Sequence, residues 1–308
     1  MKLFPSLAGW FGRRSVYRKF WRGEYGIEEP QRCLCGSESF TRVASKDSFG
    51  LPMGVKLCMS CGLGLLAPRI TSEELSQFYE QDYRILYRGG KPLDDEYFER
   101  GVRRGKKISE YITSAVPGFT PKLVVEIGCG PGGILSYFKE QGCEVVGCEY
   151  DAACIDMANK QGVRVIKGDA TSLLKEVGTV DLVILNHLLE HIDNPSLFLK
   201  TVMPLLSKEG LLFIEVPGLR NYNNNFFASI QVAHLYYFDL STLHALVSSN
   251  GMNLITGDEK VRALYSFEGN LKIQPAIENG SYLDEICNLN DNYNRNMKVV
   301  ESWRVLSD

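Results

Sequence analysis

The segment Val124-Val125-Glu126-Ile127-Gly128-Cys129-Gly130-Pro131-Gly132-Gly133 constrains this chain more than any other. An apolar strand runs straight into a glycine turn, and residues 134–141 follow with helical spacing. In that arrangement backbone N–H groups can approach a bound molecule closely, because glycine accepts turn conformations that a Cβ would block. The pattern continues as strand 144–148, helix 152–160, strand 163–167, strand 181–185, helix 195–206, strand 211–216 and helix 241–250. Alternation of this kind builds an α/β fold with a parallel sheet, right-handed crossovers and helices on both faces. Residues 252–255 and 270–273 are expected to close the sheet as an antiparallel pair.

A chain of 308 residues exceeds one such domain, so a second, smaller one is expected. Five ranges follow: an arm at 1–30, a cysteine domain at 31–70, a helical segment at 71–118, the α/β domain at 119–275 and a polar, helical tail at 276–308. Within the helical segment, residues 71–86 and 94–116 have helical spacing, with Thr71 or Ser72 as an N-cap. The arm carries Lys2, Arg13, Arg14, Arg18, Lys19 and Arg22 with no acid before residue 23, interleaved with Phe4, Trp10, Phe11, Tyr17, Phe20 and Trp21. This pattern suits peripheral contact with an anionic membrane, and equally suits packing on its own domain. No apolar run reaches the roughly 18 residues of a membrane span. A net charge of −3 lacks the basic excess of a phosphate-backbone binder, which argues against a nucleic-acid partner and for a small or sugar-like substrate. Nine cysteines without a secretory leader fit a reducing, cytoplasmic setting.

The spacing of Gly128, Gly130 and Gly133 satisfies a dinucleotide fingerprint, and Glu149, ending the second strand, could hold the ribose of NAD or of S-adenosylmethionine. Three features separate these options. Glu126 is an acid inside an apolar strand, where an ion is costly without a partner such as the ammonium of an amino-acid ligand. Gly168-Asp169-Ala170 puts an acid at the end of the third strand, and Asn186 follows the fourth at the carboxyl edge where ligands of such sheets bind. Together these residues resemble the class I S-adenosylmethionine methyltransferases, with their Rossmann-like sheet, over residues 121–275. The resemblance implies a donor site formed by Glu126, Gly128, Gly130, Glu149, Tyr150, Asp169, Ala170 and Asn186. Glu149 would bind the ribose hydroxyls, Asp169 would meet the adenine and Asn186 would lie beside the sulfonium. His187-x-x-Glu190-His191 also matches an inverted zinc-protease string, but it follows a buried strand within this frame, so packing is expected for Glu190 and His191.

Cys33-x-Cys35 and Cys58-x-x-Cys61, each followed by glycine, look like two metal knuckles. Four thiolates so placed can surround Zn²⁺ tetrahedrally, and a closed site of this kind is structural. Bases and acids between residues 31 and 68 form no electrostatic stripe, so a nucleic-acid ribbon is not expected. With the following stretch up to Tyr79 and Tyr83, this module resembles the zinc-binding methyltransferases of bacterial sugar and surface-polysaccharide pathways.

The acceptor side is expected after the fifth strand, where residues 217–238 are rich in aromatic and amide side chains. His234 is the candidate catalytic base. In the resembling sugar C-methyltransferases an acid precedes the corresponding histidine, whereas here the residue is Ala233, which tilts the expectation toward O-methylation of a sugar hydroxyl. C-methylation of a nucleotide-linked keto-sugar and a non-catalytic partner protein remain the alternatives, with a nicotinamide dehydrogenase last. Tyr79, Tyr83, Tyr87 and Tyr222 are candidates to face the acceptor, and His244 is expected to pack in its helix.

Overall fold

Alternating strands and helices after Leu123 assemble a seven-stranded sheet in the order Asn253–Gly257, Arg262–Ser266, Leu206–Glu215, Val180–Asn186, Leu123–Ile127, Glu144–Glu149, Arg164–Lys167. The computed structural model describes residues 7–88, 92–220 and 229–268. They divide into two compact units, one holding residues 92–217 and 243–268, the other residues 7–88, 218–220 and 229–242. In the sheet unit the five strands from Leu206–Glu215 to Arg164–Lys167 run parallel, and the other two join antiparallel. From the central strand Leu123–Ile127 the chain winds outward through two strands, then returns to place Val180–Asn186 on the other side. That reversal puts the carboxyl ends of these two strands at the switch point where ligands of open α/β sheets bind.

Local chemistry sets the helix starts. Asp151 caps Ala152–Lys160, Asp169 caps Ala170–Glu176 by accepting from Ser172 N, and Asn194 caps the Pro195-led helix Pro195–Val202. The helix Ala170–Glu176 was not evident in the sequence pattern. Helix Asp95–Ala115 crosses Gly133–Glu140 at glycine contacts: a Cβ on Gly105 would lie 2.8 Å from Ile134 O, and one on Gly133 2.4 Å from Phe98 O. The closing antiparallel pair differs from expectation. Asn253–Gly257 pairs with Arg262–Ser266, because a turn at Asp258, whose carbonyl accepts from Val261 N at 2.8 Å, reverses the chain early. Residues 270–273 lie outside the described residues.

The other unit holds a four-stranded antiparallel sheet in the order Tyr236–Tyr237, Gly64–Ala67, Gly54–Cys58, Phe40–Ala44. Its first strand corrects the contiguous 119–275 range. Residues 218–220 and 229–242 belong to this unit, because Tyr236 and Tyr237 pair with Leu65 and Gly64, Leu66 N donates to Leu235 O, and Ser48 N donates to Ile230 O. The 71–118 range is likewise divided, with Ser72–Gln81 and Tyr83–Arg88 in this unit and Asp95–Ala115 in the sheet unit. The single helix read at 71–86 breaks at Asp82, whose buried carboxylate is held by Lys19 at 2.7 Å and by the Tyr25 hydroxyl.

The arm forms helix Leu7–Trp21 and is tied to its own unit. Val16 is fully buried, Arg13 Nε donates to Leu86 O at 2.8 Å, and Tyr17 donates to Phe49 O at 3.1 Å, while Trp21 stays exposed. Among the described residues no helix is long and apolar enough to cross a membrane. Phe4, Tyr222 and the 276–308 tail lie outside the described residues.

Candidate active site

Strand Leu123–Ile127 is buried apart from its first residue, and it delivers Glu126 and the glycine turn to the switch point. Gly128, Gly130 and Gly132 all have positive φ, at 69°, 53° and 79°, so the turn depends on residues without a Cβ. Gly128 and Cys129 anchor it by donating to Cys148 O at 2.9 and 3.1 Å.

Glu126 is only 2% exposed, and its Oε2 has no hydrogen-bond partner among the described residues. Burial pushes its carboxyl well above the usual glutamate range; the Glu149 carboxylate pushes the same way and the Arg104 guanidinium opposes both. A buried, unsatisfied carboxylate oxygen under a glycine turn fits the ammonium of an amino-acid ligand such as S-adenosylmethionine. Arg104 was not singled out in the sequence. Its signal was its place between Gly101 and Gly105 on the helix that crosses closest to the donor turn.

Glu149 turns inward at the end of its strand. Its Oε2 accepts from Gly130 N at 2.9 Å, and its Oε1 from Tyr150 N at 2.7 Å and Asp151 N at 3.0 Å. Gly168 N donates to Glu149 O at 3.1 Å, which brings the third strand end and Asp169 beside it. Asp169 serves as a helix cap, Tyr150 is 64% exposed, and burial together with the Asp169 carboxylate pushes the Tyr150 hydroxyl up. Ala170 is buried at the helix start. Asn186 ends strand Val180–Asn186, with its Oδ1 buried and without a hydrogen-bond partner among the described residues. The structure thus gathers Glu126, Gly128, Gly130, Glu149, Tyr150, Asp169 and Ala170 around one turn, with Asn186 at the neighbouring strand end.

The residues after Asn186 hold a feature that the sequence did not reveal. His187 has φ 51°, a left-handed backbone that non-glycine residues rarely adopt, and its N–H donates to Glu215 O at 2.7 Å. Its Nδ1 lies 3.4 Å from Glu190 Oε1 and its Nε2 3.9 Å from Glu215 Oε1. Glu190 is buried and also faces His191 Nε2 at 3.7 Å. His244 stacks on Tyr265 with ring centroids 6.3 Å apart, and burial lowers its pKa, as suits a packing residue.

In the other unit Cys33, Cys35, Cys58 and Cys61 come together, all four sulfurs within 4.8 Å of one another. The Cys33–Cys61 and Cys35–Cys58 separations are both 3.6 Å, near the ~3.8 Å edge of a tetrahedron with Zn–S bonds of about 2.3 Å. Burial pushes the Cys58 thiol up, but N–H groups of Cys61 and Ser60 and the Cys35 and Cys33 thiols outweigh it, bringing its pKa to about 7. These residues fit a metal of thiolate preference. His234 is buried, and its ring meets Tyr237 edge-on at 6.1 Å. Its neighbour Ala233 is bracketed by Tyr79, which donates to Ala233 O at 3.2 Å, and by Tyr87, which accepts from Ala233 N at 3.4 Å.

Comparison with known proteins finds methyltransferases. The C-methyltransferase NovU of Streptomyces niveus is 34% identical over 139 residues, which cover 43% of this chain and 33% of that protein. The (S)-tetrahydroprotoberberine N-methyltransferase of Eschscholzia californica is 30% identical over 112 residues, 33% of this chain and 32% of that one. The chain thus spans about a third of the length of these relatives. A solved S-adenosylmethionine-dependent methyltransferase from Thermotoga maritima, described as a possible histamine N-methyltransferase, is 21% identical with a TM-score of 0.41, covering 55% of this chain and 96% of that one. Residues 99–256, just over half of the 308, match the family model described as a methyltransferase domain. The chain belongs to that family of methyltransferase domains.

Proposed function

We propose that the enzyme methylates a hydroxyl of a sugar, free, nucleotide-linked or within a glycan, in the making of a surface polysaccharide or glycosylated metabolite. The observation that carries this reading is an aromatic ladder in the cysteine unit. The rings of Tyr79 and Tyr83 lie 5.2 Å apart, those of Tyr83 and Tyr87 5.0 Å apart, and two of these phenols grip the backbone beside His234. Aromatic faces of this kind suit a sugar ring, which is apolar on its own faces. His234 is assigned to the acceptor hydroxyl, which must be held in line with the methyl and the sulfur. On the donor side Glu126 binds the ammonium, Glu149 the ribose hydroxyls and Asp169 the adenine, while Gly128, Gly130, Tyr150, Ala170 and Asn186 line the site. The donor itself supplies an activated methyl group.

The four cysteines hold a structural zinc in this reading, because a closed thiolate set leaves no position for substrate. Such thiolates persist in a reducing compartment, which supports a cytoplasmic enzyme. The arm acts as a strap on its own unit, a role supported by its contacts to Leu86, Phe49 and Asp82.

C-methylation of a nucleotide-linked keto-sugar is the second reading, favoured by the similarity to the C-methyltransferase NovU. Incubation with S-adenosylmethionine and a panel of nucleotide sugars, followed by NMR of the product, separates the two: an O-methyl resonance supports the first and a C-methyl resonance the second. His234→Ala, which removes the group that aligns the acceptor hydroxyl, is expected to lower kcat by about 10²-fold with donor affinity within a few-fold of wild type. Failure of every sugar in the panel would overturn the acceptor assignment.

A further inference from the structure

Resting on the O-methylation reading but not on which sugar carries the hydroxyl, we propose that His187 receives the acceptor's proton and lies close enough to the sulfonium for its charge to be felt there. The placement comes from the sheet. His187 directly follows strand Val180–Asn186, which pairs with Leu123–Ile127, so both strands deliver their carboxyl ends to the same edge. A Cβ built on Gly128, the first glycine of the donor turn, would lie 3.1 Å from Leu188 Cδ1, so the His187-Leu188 turn sits against the donor loop itself.

The charged surroundings suit a group that is neutral in one state and cationic in the next. Glu190 faces Nδ1 from the turn after the strand, and Glu215 faces Nε2 from the end of strand Leu206–Glu215. His191 lies on the other side of Glu190. Arg262, across from Glu215 on the adjacent strand, is engaged by Asp258 at 2.9 and 2.5 Å. Nδ1 faces Glu190 at 3.4 Å, an ion-pair distance, while Nε2 is the nitrogen farther from a carboxylate, 3.9 Å from Glu215, so Nε2 is taken as the proton acceptor. Holding this ring requires a left-handed backbone at His187, and strain of that kind is retained where the surrounding structure enforces it, often at functional positions.

Charge balance explains the arrangement. The acceptor oxygen forms its bond to the methyl carbon as the carbon–sulfur bond breaks, and that electron pair stays on sulfur. The O–H pair stays on oxygen while the proton passes to His187 Nε2. One positive charge therefore leaves the sulfonium as one appears on the imidazole, where the Glu190 and Glu215 carboxylates face it. A sulfonium and an imidazolium present together would repel each other.

The test compares affinities for S-adenosylmethionine, which is cationic at sulfur, and S-adenosylhomocysteine, which is not, by calorimetry from pH 5.5 to 8.5. Because both ligands carry the same ammonium and ribose, their affinity ratio cancels the titration of Glu126. In the wild type, preference for the homocysteine form should grow by about fivefold or more at the acid end. His187→Gln should flatten that dependence, and so should His187→Asn, whose side chain tolerates the left-handed backbone and so controls for misfolding. Glu215→Gln should weaken binding of the sulfonium ligand selectively. Once an acceptor is in hand, His187→Gln should also lower kcat by about 10²–10⁴ and remove the acid limb of the rate profile, with homocysteine-form affinity within a few-fold of wild type. A ratio independent of pH in the wild type, or an unchanged dependence in both His187 variants, would overturn the proposal whatever the sugar panel returns.

Discussion

Gly130 N donates to Glu149 Oε2 at 2.9 Å, so the carboxylate that ends the second strand also fastens the glycine turn of the first. One residue thereby shapes the loop and presents acceptor oxygens at its rim. Glu149→Ala removes charge-assisted bonds worth roughly 1.5–3 kcal/mol each and loosens the turn as well. Affinity for S-adenosylhomocysteine, read by calorimetry, is expected to fall at least tenfold. Unchanged affinity would remove Glu149 from the donor site.

Glu126 should reveal itself through opposite effects on stability and binding. An acid that holds its proton more tightly in the folded protein stabilises the fold at low pH and loses that contribution as pH rises from the ordinary glutamate value through the folded one. Ligand-free wild type is therefore expected to melt at lower temperature as pH increases above about 4.5, and Glu126→Gln should reduce this dependence. The same variant should bind S-adenosylmethionine more weakly, since an amide does not neutralise the ammonium. A variant that matches wild type in both measurements would contradict the assignment.

Asp47 offers a clearer pH window. It is fully buried, Oδ1 accepts from Phe49 N and Leu51 N, and Oδ2 has no hydrogen-bond partner among the described residues. Burial outweighs these N–H bonds and lifts its pKa to about 7 from 3.8. Its stabilising contribution is thus complete below pH 3.8 and fades as pH climbs toward about 7. At about 1.4 kcal/mol per unit, the loss approaches a ceiling of about 4 kcal/mol. Asp47→Asn, which keeps the Oδ1 acceptor, should flatten a denaturation series over that range and be the more stable protein at pH 8.

Metal analysis is expected to return about one zinc per chain. Cys58→Ser or a strong chelator should remove it and lower the melting temperature, because binding to a site absent from the unfolded chain contributes directly to folding. Donor binding should survive, as its residues lie in the sheet unit. An equally stable, metal-free wild type would sink the knuckle reading.

The donor turn was legible because its signals are local. An apolar strand, glycines at fixed spacing and acids at strand ends all lie within a few residues of one another. The cysteine unit hid its sheet. All five residues of Gly54–Cys58 are buried, Lys56 among them, so alternation gave no warning of a strand. The break at Asp82 depends on Lys19 and Tyr25, roughly 60 residues earlier in the chain, and the left-handed His187 depends on Glu215 from another strand. Contacts made by distant residues leave no periodicity to read.

The pairing of Tyr236–Tyr237 with Gly64–Ala67 bears on how the chain is made. During synthesis the three earlier strands of that sheet emerge long before their fourth, with the first five strands of the other sheet in between. Until then Gly64–Ala67 presents an open row of N–H and C=O groups, an edge on which other nascent chains can pair. A ribosome paused before residue 236, or a fragment ending at Pro217, should therefore yield aggregating protein, even though every cysteine of the cluster is already present.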